Sequence, residues 1–123
     1  MSLYWQRERR NVDRRQALAG VPIFNRAVRL ETGEAGGLLL RIDEARGPGF
    51  LDRFRPPRTE RRFALDEFGS FVVRLIDCER TVLDIVGRFQ EEFGMSRREA
   101  ELGVVAFIKM LMQRNVVSVV AKA

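Results

Sequence analysis

The chain has 123 residues, of which 46% are hydrophobic and 32% charged, and its net charge is +5. This length suits one domain with a real core, and the composition argues against wholesale disorder and against a membrane-spanning helix. There is no His, and Cys78 is the single cysteine, so the common nucleophile–base pairs, an internal disulfide and a cysteine-built zinc site are not available. A catalyst made from Lys, Asp, Glu or Tyr stays open, but we expect no catalytic residues, no metal and no cofactor.

The positive charge is concentrated in the first half of the chain. Residues 1–63 carry a net charge of +6, whereas residues 64–123 carry −1, and Arg outnumbers Lys by 20 to 2. Arg binds phosphate and carboxylate groups with two hydrogen bonds and stacks on aromatic rings. The pattern therefore indicates either an acidic partner, nucleic acid or peptide, or an ordinary solvated surface.

Residues 1–20 are predicted to form a basic N-terminal arm. This segment is either a frayed helix that ends at Gly20 or a disordered stretch. The charged residues 7–10 stand where the apolar run of a signal peptide would begin, so we expect a cytoplasmic protein. A single domain is then expected over residues 21–123.

Strands are predicted in the first part of this domain. Alternation of apolar and polar residues, interrupted by a Gly-rich turn, predicts a β-hairpin over residues 27–43. Residues 46–60 are rich in Gly, Pro and Arg, which predicts an irregular basic loop. Residues 61–65 are predicted to form a third strand.

The second half of the chain is predicted to be helical. Asp66 is a good N-cap for a first helix, because apolar residues follow it at spacings of three and four positions. The residues on this predicted apolar face are Phe68, Phe71, Val72, Leu75 and Ile76. A break then follows at residues 77–80, where Cys78 is interpreted as a small apolar filler.

Two further helices are predicted from their capping residues. Thr81 and Asp84 resemble a capping box for a helix over residues 82–93, with Gly94 beyond its C-terminus. The apolar stripe predicted on this helix consists of Val82, Ile85, Val86, Phe89 and Phe93.

The third helix has an unusual pattern. Ser96 and Glu99 form a capping box for a helix that runs to about Arg114, and Asn115 can adopt the left-handed conformation that ends it. From residue 104 to residue 112 only one residue is polar. This helix is therefore either buried on all sides or presents an apolar strip to a partner. Residues 116–120 favour a strand or an extended tail.

The order of these features resembles the PqqD family, the small peptide-binding proteins of coenzyme PQQ synthesis. The resemblance lies mainly in residues 61–117, and its most specific part is the Asp-x-x-Arg-Thr-Val turn at residues 77–82. The other matching residues are Leu65, Asp66, Glu67, Leu75, Ile76, Ile85, Phe89, Phe93, Val104, Phe107, Ile108, Leu111, Asn115, Val116 and Val117. Cys78 stands where the family usually has Gly, and a non-Gly residue at positive φ is costly, so the conformation of this turn stays open.

The resemblance implies an α+β fold of the winged helix-turn-helix type, with a small three-stranded antiparallel sheet and three helices. It implies a non-catalytic adaptor that binds the leader of a ribosomal precursor peptide and presents it to a modifying enzyme, such as a radical SAM protein. The leader would add as a strand beside the third strand and pack on the third helix. The peptide-binding residues implied are Arg61, Arg62, Phe63, Ala64, Leu65, Val104, Ile108, Leu111 and Met112.

Two other functions are compatible with the sequence. In a winged-helix nucleic-acid-binding protein, the third helix would enter the major groove, although its centre is apolar where basic and polar side chains are needed. In a structural homodimer, two copies would bury Val104, Ile108 and Leu111 against each other. Salt dependence separates the first of these from peptide binding, and concentration-dependent mass identifies the second.

Overall fold

The computed structural model describes residues 15–16, 18–33, 37–45 and 58–122. Three helices and two antiparallel sheets lie in this part of the chain, which confirms the predicted α+β composition. In chain order they are β1 (Val21–Phe24), β2 (Val28–Thr32), β3 (Leu38–Ala45), β4 (Arg58–Ala64), α1 (Glu67–Arg74), α2 (Val82–Phe93), α3 (Arg97–Gln113) and β5 (Val117–Val120).

The chain forms two compact units, and the division falls within α1. We call Asn25–Ser70 the sheet unit, and the described residues up to Phe24 and from Phe71 onwards the helical unit.

The sheet unit contains the three strands in the order β2-β3-β4, with both pairs antiparallel. The hairpin predicted over residues 27–43 is confirmed as β2 and β3, and the third predicted strand is β4. Most of the predicted loop at 46–60 lies outside the described residues. Its last three residues were assigned wrongly, because they are the first part of β4 and pair with β3.

The helical unit contains a second sheet that the sequence pattern did not predict. Strands β1 and β5 pair antiparallel, with Val21 opposite Val120 and Phe24 opposite Val117. The extended segment expected at residues 116–120 is thus a strand with a distant partner. The prediction of a single three-stranded sheet is incomplete, since it left β1 without a place in any sheet.

Helix α1 is capped as predicted but shorter than predicted. The Asp66 carboxylate accepts a hydrogen bond of 2.7 Å from Gly69 N–H, as an N-cap residue does. The helix ends at Arg74, two residues before the end of the predicted apolar face. Phe68, predicted on that face, is 44% exposed, whereas Val73, which was not predicted there, is buried.

Both caps predicted for α2 are confirmed. Thr81 Oγ1 accepts from Asp84 N–H at 3.1 Å, and the Asp84 carboxylate accepts from Thr81 N–H at 3.0 Å. Gly94 is left-handed, with φ of 61°, and its N–H donates to the Gln90 carbonyl. The geometry accounts for the abrupt end of α2 at the predicted glycine.

Helix α3 is also bounded as predicted. Ser96 Oγ accepts from Glu99 N–H at 3.2 Å, and Asn115 has a φ of 60°. After this left-handed residue, Val116 N–H donates to the Leu111 carbonyl at 2.9 Å, so the chain reverses and leads into β5.

The core of the helical unit is built from α1, α2, α3 and the two short strands. Phe71, Phe89 and Phe93 form a cluster of rings whose centroids lie 4.7–6.1 Å apart, mostly edge to face. The other buried apolar residues here are Val21, Val72, Val73, Ile76, Val82, Ile85, Val86, Ala100, Val104, Ile108, Leu111, Val116 and Val117. Burial along α3 at residues 100, 104, 108 and 111 shows that one side of this helix belongs to the core.

Part of the predicted arm is described. Residues 15–16 and 18–19 are helical, and Gly20 N–H donates to the Gln16 carbonyl at 2.9 Å, so a helical turn does end at the predicted glycine. Residues 1–14 and 17 lie outside the described residues.

Candidate functional site: the edge strand β4

Strand β4 lies at one edge of the sheet unit. In the described part of the chain it pairs with β3 alone, with Phe63 opposite Leu40 and Arg61 opposite Ile42. Four of the predicted peptide-binding residues, at positions 61–64, lie in β4, and Leu65 follows directly. The outer edge of such a strand carries backbone donors and acceptors that can pair with another extended chain.

The register decides which backbone groups point outwards. Leu65 N–H donates to the Leu38 carbonyl at 2.9 Å, so the amide of this residue points towards β3. Backbone groups alternate in direction along an antiparallel strand. The N–H and C=O groups of Glu60, Arg62 and Ala64 therefore point away from β3, towards the outer edge of the strand.

Side chains of β4 alternate between two different faces of the sheet. Phe63 and Arg61 lie on what we call the apolar face, together with the buried Leu40 and Ile42 of β3. The Arg61 guanidinium lies over the Phe63 ring at 5.9 Å from its centroid, a cation–π contact. This arrangement gives the apolar face a positive charge near its edge.

The opposite face, which we call the charged face, is organised around Arg41 of β3. Its guanidinium pairs with Glu31 of β2 at 3.0 Å, with Glu60 of β4 at 3.0 Å and with Asp43 at 4.0 Å. Arg62 of β4 also pairs with Glu60. These ion pairs link all three strands across one face.

The electrostatics of this network follow from its hydrogen bonds. The bond to Glu31, followed by the charge of Glu60, raises the pKa of Arg41 above its usual value. The hydrogen bond from Arg62, together with the charge of Arg41, lowers the pKa of Glu60 below its usual range. Both groups are therefore held in their charged forms, and Arg62, whose side chain is 62% exposed, lies at the solvent side of the network.

Glu60 and Arg41 were not predicted as site residues from the sequence. Glu60 falls in the stretch assigned to the loop, and Arg41 was only one charged position in a predicted strand. The available signal was a basic residue at position 41 and acidic residues at positions 31 and 60. Whether these residues pair depends on the strand register, which a local sequence pattern does not provide.

The predicted residues of α3 have two different environments. Val104, Ile108 and Leu111 are buried, with exposures of 0%, 3% and 1%, whereas Met112 is 41% exposed. Ile108 and Met112 both line a cleft within the helical unit. The structure thus places Val104 and Leu111 in the core and Met112 at the surface.

The turn at residues 77–82 is stabilised by the side chain of Asp77. Its carboxylate accepts from Glu79 N–H at 3.0 Å and Arg80 N–H at 2.8 Å, and it pairs with the Arg80 guanidinium at 2.9 Å. The backbone bonds from Arg80 and then Glu79 lower the pKa of Asp77. Cys78 is exposed, so its interpretation as a small apolar filler is wrong. Its φ of 67° gives the turn a left-handed conformation with a residue that does not favour it.

No cluster of three metal-ligating side chains occurs among the described residues. Within the same residues, no helix combines the length and apolar content that crossing a membrane requires.

The fold resembles a solved structure of known class. It is the solution NMR structure of the PqqD truncation of Methylobacterium extorquens PqqCD, described as a functional, stand-alone recognition element for ribosomally synthesised and post-translationally modified peptides. The two share 23% sequence identity with a TM-score of 0.55, over 80% of this chain and 88% of that one. This likeness establishes the fold.

The family follows from the sequence match. The family model for coenzyme PQQ synthesis protein D (PqqD) matches residues 56–117, which is half of the chain. The chain belongs to the PqqD family, as its turn at residues 77–82 indicated. A comparison with curated proteins finds none that matches this chain.

Proposed function

We propose that this protein is an adaptor without catalysis of its own, which binds the leader of a ribosomal precursor peptide and presents it to a modifying enzyme. Membership of the PqqD family supports this function, as does the likeness to a recognition element for such peptides. The structural observation that carries the proposal is the outer edge of β4, which pairs with no strand among the described residues and to which three residues direct backbone groups.

The leader adds as a strand along β4 in this proposal. Backbone hydrogen bonds to Glu60, Arg62 and Ala64 supply affinity that depends little on the leader's sequence, and side chains on the two faces supply selectivity. A leader residue above the apolar face meets Arg61, Phe63 and Leu65. A residue on the charged face meets the exposed Arg62, which favours an acidic side chain there.

This geometry specifies the pattern of the leader. Successive side chains of a strand point to opposite faces, so the bound segment alternates apolar residues with polar or acidic ones. Arg61 and Arg62 lie on opposite faces because they are neighbours in β4, and only Arg62 belongs to the charged face. We expect Arg62 to select the acidic positions, whereas Arg61 with Phe63 contacts the apolar ones.

Contacts of the leader with Val104, Ile108, Leu111 and Met112 of α3 stay a prediction, which strand addition at β4 does not require. Val104, Ile108 and Leu111 are at most 3% exposed, and Met112, at 41%, lies in a cleft that contains no residue of the sheet unit. The finer assignment of the fold as a winged helix-turn-helix, and of the enzyme partner as a radical SAM protein, belongs to the same proposal.

A capture experiment tests this function. The full chain is immobilised and exposed to native lysate at low and high salt, in parallel with the Ala64→Pro and Ala64→Val variants. Proline removes the outward N–H of residue 64 without affecting the bonds to β3, whereas valine keeps that N–H and favours strands. Captured peptides are then synthesised, and their affinity for each variant is measured by calorimetry.

The proposal expects a short precursor peptide that is retained at high salt by the wild type and by Ala64→Val. One lost hydrogen bond of about 1 kcal/mol weakens binding to Ala64→Pro about fivefold. A proline in the middle of the leader has the same effect from the peptide's side. Retention of nucleic acid alone, lost at high salt, or equal affinity of both Ala64 variants for the peptide, contradicts strand addition.

A further inference from the structure

A second surface, separate from β4, lies in the helical unit. A cleft of about 760 Å³ is formed by α3, by β5 with the two residues after it, by Val82 of α2, and by Gln16, Ala19 and Gly20. All of its lining residues belong to the helical unit, so the cleft involves no residue of the sheet unit.

The walls of the cleft are mainly apolar and differ in exposure. Val82 and Ile108 are nearly inaccessible, at 1% and 3%, whereas Met112 and Val120 are 41% and 43% exposed. Met112 and Val105 come from the apolar stretch of α3 that the core does not absorb completely. Exposed apolar side chains around a concave surface are typical of a docking site, and Met adapts its shape to a partner.

The charge of the cleft is of one sign. The chain contains only two lysines, Lys109 and Lys122, and both line this cleft, whereas no acidic residue does. They come from different elements, since Lys109 lies on α3 and Lys122 follows β5. Their placement brings positive charge to two walls of one apolar groove.

One acidic side chain nearby is already engaged. The hydrogen bonds with Thr81 are the main cause of the lowered pKa of Asp84, and the charge of Lys122 makes a smaller contribution. Asp84 Oδ2 accepts from Thr81 N–H at 3.0 Å in the cap of α2, and Asp84 does not line the cleft. No acidic partner of Lys109 lies within the cleft.

We propose that this cleft docks an acidic amphipathic helix of a partner protein. The apolar stripe of such a helix packs on Val105, Met112 and Val120, and carboxylates on its two flanks meet Lys109 and Lys122. Because Lys109 and Lys122 come from different elements around the apolar residues, the occupant needs an apolar stripe with carboxylates beside it, which an amphipathic helix supplies. The protein then has separate surfaces for two polypeptides, one at β4 and one here.

Nuclear magnetic resonance of the full ¹⁵N-labelled chain tests this surface. The probes are synthetic helices of about 18 residues with Leu, Phe or Val stripes and Glu flanks. A matched set carries Lys in place of Glu, and dodecanoate is a third probe. We expect the Glu peptides to shift the amides of Val105, Lys109, Met112 and Val120, and the Lys peptides to leave them unchanged.

Charge reversal sharpens the test. The double variant Lys109→Glu with Lys122→Glu is expected to bind the Glu peptides about tenfold more weakly and to bind the Lys peptides instead. Arg98→Glu, which removes an exposed cation of α3 that does not line the cleft, is the matched control and is expected to bind as the wild type does. Ala64→Pro is also expected to leave this binding unchanged, so the two surfaces can fail independently.

Four results overturn the proposal. Equal binding of the Glu and Lys peptides shows that Lys109 and Lys122 do not select the partner. Chemical-shift changes outside the cleft show that the peptides bind elsewhere. Saturation of the cleft by dodecanoate without binding of any Glu peptide assigns it to a small carboxylate. If the amide chemical shifts of the cleft residues change on dilution and the mass depends on concentration, the cleft binds a second copy of the chain.

Discussion

The two units of the chain differ in how many buried apolar side chains they contain. Of the 16 buried apolar residues in the described part of the chain, 14 lie in the helical unit and two, Leu40 and Ile42, lie in the sheet unit. The sheet unit instead has ion pairs linking its three strands and an edge whose backbone groups point outwards. The helical unit thus contains most of the buried apolar side chains, whereas the proposed leader-binding edge lies in the sheet unit.

This contrast predicts where substitutions will be tolerated. Close-packed residues lose contacts when they are truncated, whereas exposed ion pairs contribute little to stability. Substitutions in the two units therefore separate effects on folding from effects on binding.

The largest effect is expected in the core of the helical unit. Ile85 is fully buried in α2, so Ile85→Ala is expected to lower the free energy of unfolding by about 2–5 kcal/mol. Leu83 in the same helix is 40% exposed, and Leu83→Ala is expected to change the free energy of unfolding by about 0.5 kcal/mol or less. Denaturant unfolding measures both. Equal losses for the two variants would show that α2 is not packed as described.

A smaller loss is expected at Gly20. A Cβ added there would meet Val119 Cγ1, with the Gln16 and Val120 carbonyl oxygens 3.1 and 3.3 Å away. Gly20→Ala is therefore expected to cost about 1–3 kcal/mol. A Cβ added at Gly87 in α2 would meet no atom within 4 Å, so Gly87→Ala is expected to stabilise the protein by about 1 kcal/mol. Thermal unfolding that ranks the two variants in the opposite order would contradict the pairing of β1 with β5.

The turn before α2 contains a residue whose replacement is expected to stabilise the protein. Cys78 has a φ of 67°, a conformation that costs a non-Gly residue about 1–2 kcal/mol. Cys78→Gly is expected to recover about 1 kcal/mol of this, less the added entropy of the unfolded chain. Asn115→Gly is the matched control, with a smaller gain because Asn tolerates the left-handed region. Destabilisation by Cys78→Gly in urea unfolding would contradict this account.

The weakest effect concerns pH. Asp77 and Glu60 have lowered pKa values in the folded protein, so the fold favours their deprotonated forms. Their contribution is fully present above the unfolded pKa of about 4 and is lost as the pH falls through the lower folded pKa. Asp77→Asn is expected to flatten the fall in stability below about pH 4. An unchanged slope in acid unfolding followed by circular dichroism would contradict the hydrogen bonds assigned to Asp77.

Features with a local cause could be predicted from the sequence. The capping box of Thr81 with Asp84 and the left-handed Gly94 and Asn115 depend on neighbouring residues alone, and all are confirmed. The hairpin was also predictable, because its two strands are close in the chain.

Features that depend on distant pairing were missed. Strand β1 is recognisable only once β5 returns beside it, and Glu60 gains its role only when β4 is placed against β3. The apolar face of α1 was predicted wrongly at Phe68, which is exposed, whereas Ser70 and Val73 are buried. The edge strand of the site was predictable as residues 61–65, because it has a local pattern. The cleft lined by Ile108 and Met112 was not predictable, because it forms only when the chain reverses at Asn115 and brings β5 beside α3.

The most direct test of the central claim is hydrogen exchange at the edge of β4. Backbone amide exchange is measured for Glu60, Arg62 and Ala64, with and without the captured leader peptide. The account predicts that these three amides exchange at least about tenfold more slowly in the complex, while Leu65, already bonded to Leu38, changes little. Unchanged exchange at all three amides with the peptide bound would contradict the assignment of β4 as the recognition edge.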